Sequence, residues 1–191
     1  MNIMLLGKAG VGKTTAAEYL VNIHGYQHLA LADKIKRIAE SLFPEAFDSG
    51  RKPRALLQTL GQKMREIDQN VWVHYLMRYI NLQAKHFNYY PPTVISDVRY
   101  RNEYDAFLAH SFVPVRIVCE PELIRLRLER RGDRMTTEEM IHPSETELDN
   151  VYVPFTVDNS GTRQHLYAQL DEIVATLRQE RGDPECGFLS T

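Results

Sequence analysis

The sequence has little of what would tie it to a disulfide scaffold, a membrane or a nucleic acid. Of its 191 residues only two are cysteines, Cys119 and Cys186, far apart and in no metal-ligand spacing. That argues against a disulfide framework and suits a reducing cytoplasm. No apolar run approaches the roughly 20 residues that span a bilayer, and the opening run, 3–6, is too short for a secretory signal. With 23 Lys and Arg against 25 Asp and Glu, the net charge is -2, so no charge excess advertises a nucleic-acid or membrane partner. The seven histidines offer no metal site: His24 and His28 are four apart, but Gly25 interrupts the helix that would align them. Repeats and low-complexity segments are absent. What remains is an ordinary globular composition, 43% hydrophobic and 25% charged, expected to be cytoplasmic, a monomer or homodimer, with a small molecule as partner.

Short apolar runs at 3–6, 28–32, 93–96, 113–119 and 155–158 predict strands. Between them, helical spacing predicts helices over 13–24, 33–42, 101–110, 121–132 and from Gly161 to about 179. Asp33 is placed to cap the second of these. Pro53 opens a short helix ended by Gly61, and Asp68 opens a longer one whose apolar stripe is Val73, Leu76, Met77, Ile80 and Ala84. Strand and helix alternate, which predicts an α/β fold with a five-stranded parallel sheet and helices on both faces. Ligands then lie beyond the carboxyl ends of the strands. Residues 132–150 are polar and read as a small mobile lid, and 182–191 as a frayed tail, leaving one domain over 1–181.

Gly7-Lys8-Ala9-Gly10-Val11-Gly12-Lys13-Thr14 matches G-x-x-x-x-G-K-[ST], with a strand before it and a helix after it. This is the phosphate loop of the P-loop NTPase fold. Its glycines let backbone N–H groups turn inward around phosphate oxygens, and Thr15 continues the turn at the helix N-terminus. Lys13 would reach the β- and γ-phosphates of ATP, and the Thr14 hydroxyl would ligate Mg²⁺. Asp97 ends an apolar strand and is the second candidate for the Mg²⁺ shell. A turn residue is the plain alternative for it.

The order of the remaining motifs resembles the deoxynucleoside monophosphate kinases. The matching segments are Leu31-Ala32-Asp33-Lys34-Ile35-Lys36, Arg54 to Gly61 with Arg65 and Trp72, Ser96-Asp97-Val98-Arg99-Tyr100-Arg101-Asn102-Glu103, His142-Pro143-Ser144-Glu145 and Asp158-Asn159-Ser160-Gly161-Thr162. The likeness covers nearly the whole chain except the tail. Dephospho-coenzyme A kinase shares several of these segments.

The resemblance implies an acceptor-binding helical region over about 33–90. It puts Asp33 beside the acceptor, and Lys36 one turn on faces the acceptor phosphate. Arg54 and Gln58 share a helix face and, with Arg65 and Arg99, would surround a monophosphate, since guanidinium forks match phosphate oxygens. Trp72, with Tyr75 and Tyr79, offers a stacking face for a base, although such a strip is more often core. Arg125, Arg127, Arg130, Arg131 and Arg134 crowd a helix end. In this family arginines there close over the transferring group, with Arg127 and Arg131 the first choice. Asn159, Ser160 and Gly161 would lie along the donor adenine; as a plain turn, Ser160 would cap the next helix. The expected activity is transfer of the ATP γ-phosphoryl group to a (deoxy)nucleoside monophosphate. The alternatives are a hydroxyl acceptor, with Asp33 as base, and a non-catalytic ATP-dependent regulatory protein.

Overall fold

The computed structural model describes residues 1–48, 50, 52–88, 90–132 and 142–181. The tail at 182–191 and residues 133–141 of the expected lid, Arg134 among them, lie outside the described residues. Five strands form one sheet: β1 (Asn2–Leu6), β2 (Gln27–Leu29), β3 (Thr93–Ile95), β4 (Phe112–Val118) and β5 (Phe155–Asp158). Their order is β2-β3-β1-β4-β5, and every pairing is parallel.

The central strand shows why a continuous apolar run was needed. Ile3 and Leu5 join a core on one face with Ala16, Leu20, Leu166 and Leu170. Met4 and Leu6 point to the other face, against Leu31, Trp72, Leu76 and Phe107. All four β1 side chains are at most 1% exposed, each burial contributing about 1.5–3 kcal/mol. The first core is roofed by α1 (Lys13–His24) and α8 (Arg163–Arg181). The second is roofed by α2 (Leu31–Leu42), α4 (Val71–Phe87) and α5 (Arg101–Ala109), with α3 (Arg54–Ile67) leaning on α2. Helix α6 (Pro121–Arg130) follows β4, and the short α7 (Pro143–Thr146) precedes β5. Among the described residues no helix is long and apolar enough to cross a membrane.

Three boundaries differ from expectation, each for a tertiary reason. Helix α2 starts at Leu31, so Asp33 is its third residue and not its cap. Helix α3 runs straight through Gly61 to Ile67. That glycine is a point of close approach: a Cβ there would lie 3.2 Å from Ile35 Cδ1 and 3.3 Å from Arg65 Nη1. Helix α4 opens at Val71 because Asp68 is spent on a turn, accepting from the Asn70 N–H at 2.9 Å.

Candidate active site

The loop from Gly7 to Gly12 leaves the end of β1 and delivers the chain into α1. Gly12 has φ 104° at the helix N-cap, and among the described residues no side chain caps α1. Its first-turn N–H groups therefore remain available to an anion. From the neighbouring strand end, the buried Asn159 braces the loop, its Nδ2 donating to the Val11 carbonyl at 2.7 Å and its own N–H to the Val118 carbonyl at 2.8 Å.

Lys13 folds back on the loop, donating to the carbonyls of Gly7 and Lys8. Burial in this loop is the main cause that pulls its pKa from the ordinary 10.5 down to about 8; Arg99 adds to it, while Glu145 and Asp97 oppose it. Between pH 8 and 10.5 the unfolded chain therefore holds this proton more tightly than the folded one, so Lys13 makes the fold relatively more stable as pH rises through that window. A polyphosphate placed against Lys13 reverses the balance. ATP binding at pH 9 should take up protons, seen calorimetrically as a heat that varies with buffer ionisation enthalpy. The uptake should vanish at pH 6.5 and in Lys13→Met.

Beyond Ala9 opens a cavity of about 560 Å³, between α2, α3 and the loop after β3. Asp33, Lys36, Arg54, Gln58, Arg65, Asp97 and Arg99 all line it, so residues read from three separate segments do converge. Asp97 spends both carboxylate oxygens on the start of α2, accepting from the N–H of Leu31 at 2.9 Å and Ala32 at 2.8 Å. It is the cap that Asp33 was expected to be. This leaves Asp33 on the cavity wall.

Two acidic residues hold the cavity arginines, and neither role was read from the sequence. Glu103 pairs with Arg65 at 2.8 Å. Glu145, from α7, pairs with Arg99 and accepts the Ala9 N–H of the phosphate loop at 2.8 Å. Its carboxylate thus accepts a loop N–H of the kind that suits a phosphate oxygen. The signal for both was their place in the quoted motifs, without a partner to give it meaning.

Trp72 is a correction. It is 3% exposed and absent from the cavity lining, with its indole N–H donating to the Gly61 carbonyl at 3.2 Å. It joins α4 to α3 as core, leaving no free face for a base.

Arg127 is a second correction. Its Nη1 donates to Cys119 Sγ at 3.2 Å and its Nη2 to the Asn159 carbonyl at 2.9 Å. It braces the ends of β4 and β5, away from the cavity. Arg131 is exposed just after α6, and Arg125 lies between Glu122 and Glu129 on the solvated side. Ser160 does not cap the last helix: Thr162 Oγ1 accepts from the His165 N–H at 3.2 Å. Ser160 Oγ instead donates to Asp158 at 2.6 Å and accepts the Glu120 N–H at 3.0 Å, joining the loops that flank Gly161.

A sequence profile of the AAA domain family matches residues 3–147. The resemblance to deoxynucleoside monophosphate kinases is borne out by a protein of Acanthamoeba polyphaga mimivirus that carries the provisional name deoxynucleotide monophosphate kinase. It is 28% identical over 204 residues, covering 93% of this chain and 97% of that one. Among solved structures, TT1252 from Thermus thermophilus matches with a TM-score of 0.57 at 22% identity, over 93% of this chain and 97% of that one. Shikimate kinase from Acinetobacter baumannii, in complex with shikimate, matches with 0.53 at 17% identity, over 96% and 94%. At such identities these two establish the fold alone, a P-loop fold shared with shikimate kinase.

Proposed function

The chain belongs to the AAA domain family, and from that premise we propose that it is an ATP- and Mg²⁺-dependent kinase that phosphorylates a nucleoside monophosphate, a deoxynucleotide first of all. The observation that carries this reading is a second cationic pocket facing the phosphate loop. Arg54, Arg65 and Arg99 line one cavity that Ala9 of the phosphate loop also lines. Its volume is within the range of small-molecule sites, roughly 300–1,000 Å³. The name of the mimivirus relative points the same way.

In the proposed reaction an oxygen of the acceptor phosphate attacks the γ-phosphorus. The bond to the β–γ bridging oxygen breaks, leaving ADP and a nucleoside diphosphate. The acceptor oxygen is already ionised, so positioning and charge neutralisation carry the catalysis. The α1 N-terminus and Lys13 would hold the donor phosphates, with Asn159, Ser160 and Gly161 beside its adenine. Arg54, Arg65 and Lys36 would hold the acceptor phosphate, with Gln58 and Asp33 positioning the rest. Mg²⁺, when bound, would neutralise the β- and γ-phosphates. Thr14 presents an exposed hydroxyl at the first turn of α1, a hard oxygen that fits this ion, and Asp97 is the carboxylate at the same end of the sheet.

A coupled assay across nucleoside monophosphates, with dephospho-coenzyme A included, tests the reading. One diphosphate should form per ATP consumed. Arg65→Ala should raise the acceptor KM roughly tenfold or more, with little change in that for ATP, from loss of a charge-assisted contact worth about 1.5–3 kcal/mol. Phosphorylation of dephospho-coenzyme A with every monophosphate untouched would overturn it, and Asp33 would become the candidate base for a hydroxyl.

A further inference from the structure

Glu103 is the third residue of α5 and 1% exposed. Its two oxygens do different things. Oε2 accepts the N–H groups of Arg99 at 2.9 Å and Tyr100 at 3.2 Å, which starts the helix. A helix cap needs nothing more, and acids that only cap usually remain in solvent. Oε1 accepts from Arg65 Nη2, on α3, across 38 residues of sequence.

That second contact fixes Arg65 on several sides. Its guanidinium carbon lies 4.4 Å from the centre of the Tyr100 ring, and Gly61 leaves room for Nη1. Its Nε is buried with no hydrogen-bond partner among the described residues. Arg65 and Tyr100 both line the cavity. A buried carboxylate is costly unless paired, and so is a buried guanidinium. Each is therefore held by the other in one geometry. Because the same carboxylate grips the Arg99 backbone, one residue sets both α3 and the loop after β3 at the cavity wall.

We propose that Glu103 is a positioning residue of the acceptor pocket, acting through Arg65. This rests on the reading of the cavity as an acceptor site. Without the carboxylate, Arg65 loses the anchor that keeps it against Tyr100 and leaves for solvent, and the acceptor phosphate loses a preset partner.

The test is a cycle of Glu103→Gln, Arg65→Ala and the double variant, with acceptor KM, ATP KM and thermal unfolding measured in each. Glutamine keeps an oxygen for the Arg99 and Tyr100 N–H groups, so α5 still starts. Glu103→Gln should raise the acceptor KM roughly tenfold and leave that for ATP within about twofold. In the Arg65→Ala background it should add nothing, because residues acting through one contact are not additive. If Glu103→Gln does not fold, Glu103→Asp, one methylene short, should raise the acceptor KM by a smaller factor. An unchanged or lowered acceptor KM in a folded variant overturns the proposal. So does an equal further rise in the Arg65→Ala background, which would make Glu103 structural only. If the wild type phosphorylates some other acceptor, the nucleotide reading fails while Glu103 is judged by the same split on that acceptor. Absence of turnover with every acceptor overturns both.

Discussion

Replacing Lys13 by methionine is expected to abolish phosphoryl transfer, with kcat reduced roughly a hundredfold or more, while the protein stays folded. The fold does not depend on this ammonium: among the described residues its hydrogen bonds go to the loop carbonyls of Gly7 and Lys8. Both bonds are exposed, so water can replace it. Its burial already works against its charge, as the fall to about pH 8 shows, so a neutral side chain of similar length is tolerated. The transition state has no such substitute. Charge accumulates on the γ-phosphoryl oxygens, and removing one preorganised donor of this kind costs several kcal/mol, about two decades in rate or more. Turnover and thermal unfolding measured on the same preparation check both halves. A folded Lys13→Met with wild-type turnover would refute Lys13 as the transition-state donor and the loop from Gly7 to Thr14 as the place of transfer.

Gly12→Ala should be nearly as damaging, by a different route. At φ 104° an alanine pays steric strain of roughly 1–2 kcal/mol. Its Cβ would also collide with Asn159 Nδ2, the atom that donates to the Val11 carbonyl. Asn159 cannot simply swing away, because it is 6% exposed and packed between the loop and β5. The loop must shift, and it carries Lys13 and the first-turn N–H groups with it. A misplacement of about 1 Å is enough for a hundredfold loss. ATP binding by calorimetry should fall sharply and the melting temperature should drop. Adding Asn159→Ala removes the collision but not the backbone strain, so the double variant should regain part of the binding. No recovery would mean that the strained dihedral, or loss of the Asn159 brace on the Val11 carbonyl, outweighs the relieved collision, and Asn159→Ala alone separates the two.

The two variants mark the boundary between what was legible in the chain and what was not. The phosphate loop is legible because it is local: Gly7 to Thr14 are contiguous, and the glycines themselves permit the backbone conformation that leads into α1. The parallel sheet is legible for a similar reason, since the short, mostly apolar runs at 3–6, 93–96 and 113–119 make sense only if both faces are covered. Arg54, Gln58, Arg65 and Arg99 were recognisable as a set, and the fold brings them to one cavity.

Pairing belonged to the tertiary structure. Whether an arginine faces a ligand, a carbonyl or a carboxylate depends on groups far away in sequence. Arg127 was spent on Asn159 and Cys119, Asp97 on the start of α2, and Trp72 on the α3–α4 packing. Gly61 read as a stop because glycine disfavours helix, yet close packing against Ile35 and Arg65 outweighs a propensity cost of only about 1 kcal/mol. Glu103 and Glu145 were invisible as site residues because an isolated glutamate is normally solvated; their meaning came only when burial removed water and left Arg65, Arg99 and the Ala9 N–H as partners. The sequence by itself determined the fold class and the phosphate loop, which need only short-range order. The structure decided which charges meet, because that depends on desolvation and on contacts spanning tens of residues.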